Sequence, residues 1–142
     1  MAFSSSLQGQ FLNWDDDRHV TENLQTQIFS LNNTLNIFKT TVNKTYIPLT
    51  ILSFNLEHRL FGLNPFFYHL DNLILHLAVV ISIFFVATTI GLSYRNAFLA
   101  TLLFAIHPMH TESVAWITER KDVLYTLFYM WRYDNNDASL VA

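Results

Sequence analysis

Apolar and polar positions follow two different rhythms along this chain. From residue 21 to 38 the apolar residues Leu24, Ile28, Leu31, Leu35 and Phe38 recur at steps of four, three, four and three. Thr21, Gln25, Gln27, Asn32 and Asn36 fill the other faces. That spacing predicts a helix with one apolar stripe. A second stripe, Leu49, Leu52, Leu56 and Leu60, follows Pro48, a favoured first helical residue, and stops at Gly62. Beside a membrane span, both helices are expected to lie flat in the lipid interface.

After Asn64-Pro65, an N-cap followed by a proline whose missing N–H costs nothing there, the pattern changes. Residues 72–94 carry no formal charge. At about 1.5 Å per residue they extend roughly 34 Å, enough for a hydrocarbon core of about 30 Å. Arg95 and Asn96 then read as a tight polar turn. A second apolar run, 97–106, is too short to cross alone. Counted from Ser93 and continued past Pro108 into 114–117, it is expected to cross or re-enter deeply. A third block, 123–133, precedes a polar tail, 134–142, expected to be disordered.

This pattern divides the 142 residues into an acidic loop with two interfacial helices (1–71), transmembrane helices with a polar loop at 107–122 (72–133), and the tail. The expected fold class is an all-α membrane protein whose centre is a transmembrane helical hairpin. Both ends of a hairpin emerge on one side, so the acidic stretch near Asp15 and the loop 107–122 are expected to share an aqueous face. Arg59 and Arg95 flank opposite ends of the span, so the positive-inside rule gives no orientation.

Composition strengthens the membrane reading. Hydrophobic residues make up 51% and charged residues 13%, about half the charged share of typical soluble domains. Of the charges, only Arg95 lies between Asn72 and Thr111. The absence of Cys excludes a disulfide scaffold and a thiol nucleophile. A net charge of −3 without a basic run argues against nucleic acid as a partner.

Candidate chemistry sits in two places. Asp15, Asp16 and Asp17 supply carboxylates suited to a general base near an acceptor hydroxyl, or to a solvated turn. The loop 107–122 holds His107, His110, Glu112, Arg120 and Asp122, with Arg120 and Lys121 as natural phosphate partners at a membrane boundary. On spacing alone the same loop reads first as an interfacial belt anchored by Trp116, with its charges solvated. His107, His110 and Glu112 also offer metal-type donors, which Pro108 constrains. His69, Asn72 and His76 share one face of the span, where interhelical hydrogen bonds are the expected role. Asn32-Asn33-Thr34 and Asn43-Lys44-Thr45 match the glycosylation sequon.

The ordered motifs Asn13-Trp14-Asp15-Asp16, Tyr46-Ile47-Pro48-Leu49-Thr50, Leu60-Phe61-Gly62-Leu63-Asn64-Pro65, Leu103-Phe104-Ala105-Ile106-His107-Pro108, Glu112-Ser113-Val114-Ala115-Trp116 and Glu119-Arg120-Lys121-Asp122 carry a resemblance. The chain resembles the membrane part of the O-mannosyltransferase-like proteins that bear tetratricopeptide repeats, polytopic glycosyltransferases of the GT-C class with bacterial relatives. The resemblance implies transfer of a sugar, mannose in this family, from a polyprenyl- or dolichyl-phosphate carrier to a protein hydroxyl. It implies no metal or cofactor, and a place in the endoplasmic reticulum or a bacterial plasma membrane. Asp15 and Asp16 map to the family's acidic pair, with Asp15 the preferred base. His107, His110, Glu112, Arg120 and Asp122 map to a second substrate-binding loop. Relatives of this kind have a helix before the acidic loop and further spans after it, so the chain is expected to be a fragment, inactive alone. The alternative is a non-catalytic membrane hairpin that binds a partner.

Overall fold

A computed structural model describes residues 6–12 and 15–137. Trp14 of the acidic motif and residues 138–142 of the tail lie outside them. The described chain is helical, and its only extended pairing is one isolated bridge between Val42 and Thr45.

The N-terminal third is a series of short pieces. After a turn at Ser6–Gln8 and a wide turn at Asp17–Thr21 come α1 (Leu24–Gln27) and α2 (Leu31–Ile37). The single amphipathic helix expected over this region is therefore broken. Asn23 caps α1 by accepting the Gln25 N–H, and Ser30 caps α2 by accepting the Asn33 N–H. Two N-caps seven residues apart start two helices instead of one. α3 (Pro48–Phe61) begins with Pro48 at its first turn and ends at Gly62, whose φ of 62° suits a residue without a Cβ.

α4 (Pro65–Thr89) starts at the Asn64 cap, which accepts the Phe66 N–H. The boundary expected at residue 72 therefore falls inside this helix, which is long and apolar enough to cross a membrane. Its reversal comes at Ile90–Ser93, ahead of Arg95 and Asn96, which fall inside the next helix. Gly91 adopts a φ of 94°, and Ser93 caps α5 (Tyr94–Ile106). α5 returns along α4 and ends where Pro108 cannot continue it. The polar loop is itself folded into a turn at Pro108–His110, α6 (Thr111–Ala115) and a turn at Ile117–Glu119. α7 (Arg120–Asp137) then runs back along α4, through the first residues of the expected tail.

Two packing environments result. Val20, Ile37, Ile51, Phe54, Tyr68 and Ile117 form a core, flanked by Phe11, Val42 and Ile47. It joins the N-terminal pieces, α3, the start of α4 and the loop into a head. Along the hairpin the buried positions apart from His76 are smaller: Ala87 and Val79 on α4, Ala97 and Thr101 on α5, Val123 on α7. Small residues let helix backbones approach closely. The large apolar side chains there point away from the protein, among them Leu77, Ile81, Phe85, Phe98 and Leu103.

Candidate functional site

The acidic segment and the loop meet at the head end of α4. Asp16 is fully buried, and both its oxygens are engaged. Oδ2 accepts the Leu12 N–H at 2.9 Å, while Oδ1 accepts the Thr118 N–H at 3.2 Å and the Thr118 hydroxyl. Asp15 is half-buried. Its Oδ1 accepts from Asn43 Nδ2 at 3.4 Å, and its backbone oxygen lies 2.8 Å from His19 Nδ1. Asn43 sits in a tight turn with φ of 49° and is exposed, so Asp15 faces a more open environment than Asp16.

Beside this junction lies a cleft of about 650 Å³. One wall is the segment Gly9, Gln10 and Leu12. The other is Pro108, Met109, Glu112, Ala115 and Trp116, with His69 at the base. Asp16 ties the walls together, because Leu12 lines one wall and Thr118 follows Trp116 by two residues. His69 is buried, and neither ring nitrogen completes a hydrogen bond, although the Ala115 and Gly9 backbones approach the ring. The cleft thus brings one carboxylate, one imidazole and one indole to a mainly apolar surface. A mainly apolar surface with a few polar groups is a composition common among small-molecule sites.

Arg120 is placed elsewhere. Its side chain has no exposure and sits in a cage built by α3 and α4. Nε donates to Asn72 Oδ1 at 2.7 Å, Nη1 to Glu57 Oε2 at 2.7 Å and Ser53 Oγ at 2.9 Å, and Nη2 to the Tyr68 carbonyl at 3.0 Å. Asp71 Oδ2 lies 3.3 Å from Nη1, and the Phe54 ring lies 4.5 Å from the guanidinium carbon. A guanidinium offers five N–H donors. Four hydrogen bonds within the protein leave little for a phosphate. Glu57 is held up to about pKa 7 because burial opposes its charge more than Arg120 favours it, and neighbouring Asp71 pushes in the same direction as burial.

The remaining loop residues divide between cavities. Glu112 is exposed in the large cleft. His110 and Asp122 line a smaller cavity of about 130 Å³ with His76 and Phe104. His110 packs on Phe104 with ring centroids 4.1 Å apart. Burial, then the nearby His76 and His107 rings, lower the His110 pKa. Asp122 is raised by burial and by Glu119. His107 is exposed, its Nδ1 accepting the Met109 N–H at 3.2 Å. Among the described residues no three His, Asp or Glu side chains converge as metal ligands.

Thr118, Ser53, Glu57 and Asp71 were not singled out from the sequence. Glu57 left one signal there, as the only acidic residue between Glu22 and Asp71. Asn72 takes the interhelical role expected of it. Besides Arg120, it donates to the Trp116 carbonyl at 3.1 Å and, more loosely, to that of Ile117.

Comparison with known proteins identifies relatives of this arrangement. Over 101 residues the chain is 42% identical to protein O-mannosyl-transferase TMTC1 of Mus musculus, a match covering 70% of the chain and 11% of the mouse protein. Over 90 residues it is 48% identical to mouse TMTC2, covering 62% of the chain and 10% of that protein. Mouse TMTC4 is 32% identical over 152 residues, covering 92% of the chain and 20% of its own length. By sequence, the chain belongs to the TMTC family. It spans about a tenth to a fifth of the length of these TMTC relatives. No family model and no solved structure matches it.

Proposed function

We propose that this chain forms part of the catalytic centre of a membrane glycosyltransferase of the GT-C class. The transferase moves a mannosyl group from a polyprenyl- or dolichyl-phosphate carrier to a hydroxyl of an acceptor protein. In the step proposed, Asp15 accepts the hydroxyl proton as the acceptor oxygen bonds to the sugar's anomeric carbon. The bond from that carbon to the phosphate oxygen breaks, and its electrons leave with the phosphate. α4 crosses the membrane, of the endoplasmic reticulum in the eukaryotic case, and the stripes of α1 to α3 rest on its surface.

The observation that carries this reading is the joining of Asp16, the second member of the acidic pair, to the loop beside the cleft, across 102 residues of sequence. Asp15 itself contacts Asn43 and His19 and is not among the cleft's lining residues. The names of the relatives, protein O-mannosyl-transferases, support the sugar and the acceptor class. Within the reading, half-buried Asp15 is the base and buried Asp16 its support. Glu112 and His69 face the bound sugar. Arg120 braces the loop in place of a phosphate contact. The test is sugar transfer from mannosyl-phosphoryl-dolichol by a full-length relative carrying Asp15→Asn or Glu112→Gln. Loss of turnover is expected for the first and weakened donor or acceptor binding for the second. Full activity in both would remove the site assignment.

A second reading, a non-catalytic hairpin that docks a partner, is favoured by one observation: Asp16 and Arg120 spend their polar atoms inside the protein. It predicts that Asp15→Asn changes no transfer activity at all.

A further inference from the structure

We propose that Thr118 is a positioning residue that sets the acidic pair, and that Arg120 acts on that pair through it. The connection is continuous. Arg120 Nε holds Asn72 Oδ1, and Asn72 Nδ2 holds the Trp116 carbonyl and, at 3.4 Å, that of Ile117. The next residue, Thr118, grips Asp16 Oδ1 with both its amide and its hydroxyl. Asp16 in turn holds Leu12, a wall residue of the cleft, through Oδ2. Asp16, Asn72, Thr118 and Arg120 are all buried, so water competes little for the bonds among their side chains. A carboxylate gripped on both oxygens by fixed donors has one orientation. Its neighbour Asp15 inherits that backbone placement. A base displaced by about 1 Å loses on the order of a hundredfold in rate.

The activity arm of the test rests on the transferase reading, and a structural arm does not. In a full-length relative carrying these residues, Thr118→Val keeps the side-chain shape, removes the hydroxyl and leaves the amide. It is expected to lower kcat about tenfold with the KM for the lipid-linked sugar within about twofold, and Thr118→Ser is expected to restore kcat. In the 142-residue chain in lipid nanodiscs, Thr118→Val is expected to speed amide exchange at Leu12 about tenfold while α4 stays protected, again with recovery in Thr118→Ser. If Asp15→Asn abolishes transfer while Thr118→Val changes neither kcat nor Leu12 exchange, the positioning role is wrong and the transferase reading stands. If Asp15→Asn leaves transfer intact, the transferase reading fails. The hold of Thr118 on Asp16 is then decided by Leu12 exchange alone, and unchanged exchange in Thr118→Val overturns it.

Discussion

The head and the hairpin solve opposite packing problems. In the head, polar side chains go inside: Asp16, Asn55, Glu57, Asn72 and Arg120 are buried, while the stripe residues Leu24, Leu31 and Leu35 are exposed, Leu31 at 85%. In the hairpin, the buried residues other than His76 are small or β-branched, and many large apolar side chains cover the outside. On the membrane-spanning reading, the difference reflects what each solvent demands. A head facing water at one end holds its shape with a buried charge network, since burying a charge costs heavily unless it is paired and hydrogen-bonded. On the membrane-spanning reading proposed above, a hairpin in lipid gains nothing by hiding leucines, and close backbone contact would hold it.

This contrast is tested most severely at Arg120. Arg120→Ala leaves Glu57 and Asp71 facing each other without the guanidinium. It is expected to destabilise the head by about 3–5 kcal/mol in denaturant unfolding, with little change in hairpin amide exchange. Leu77→Lys attacks the other solvent, because Leu77 lies on the outer face of α4. It should raise the cost of membrane insertion by about 2.5–3.5 kcal/mol at mid-span in a translocon assay. Equal insertion of variant and wild type would mean that this face does not meet lipid.

A smaller effect separates the regions by pH. Glu57 ionises in the folded head near pH 7, above its ordinary value of 4.5. Its contribution to stability is therefore full below pH 4.5 and is lost as pH rises through 7. Unfolding of the head across that window should show a downward slope with pH, flattened in Glu57→Gln and absent from the hairpin. Gly91→Ala should cost about 1–2 kcal/mol of hairpin stability by forcing a Cβ into the left-handed region. An added Cβ meets nothing within 4 Å, so the cost lies in the backbone. The smallest expected change is Leu31→Lys, within about 0.5 kcal/mol for folding. It should still weaken binding of the chain to vesicles if the stripe rests on lipid.

The starts of α3 and α4 were legible because they are local. Pro48 and Asn64-Pro65 act within a turn of where they stand, whereas the start at Ser93 was missed, because Arg95 and Asn96 read as the turn and instead lie inside α5. The meeting of Asp16 with the loop was also within reach, since a returning helix brings its two ends together. What escaped was the inside of α3. Its leucine stripe predicts one face, yet the buried residues are Thr50, Ile51, Phe54, Asn55 and Glu57. They face inward because Asn55 Nδ2 donates to the carbonyls of Gln25, Thr26 and Ile28, and Glu57 meets Arg120. Both partners are distant in sequence, and no periodicity records them. For the same reason Arg120 read as a phosphate ligand. Charge is visible in a sequence, whereas the four acceptors that occupy it are not.

Ile117 belongs to the same hydrophobic cluster as Val20, Ile37 and Phe54, although nearly a hundred residues of chain separate it from the first of them. A ribosome working from the N-terminus therefore finishes α1, α2 and α3 long before their last packing partner exists. Until the loop emerges, Phe54 and Tyr68 have an incomplete cover. Five of the six core residues precede the hairpin turn, and the cluster is closed only when Ile117 follows both hairpin helices.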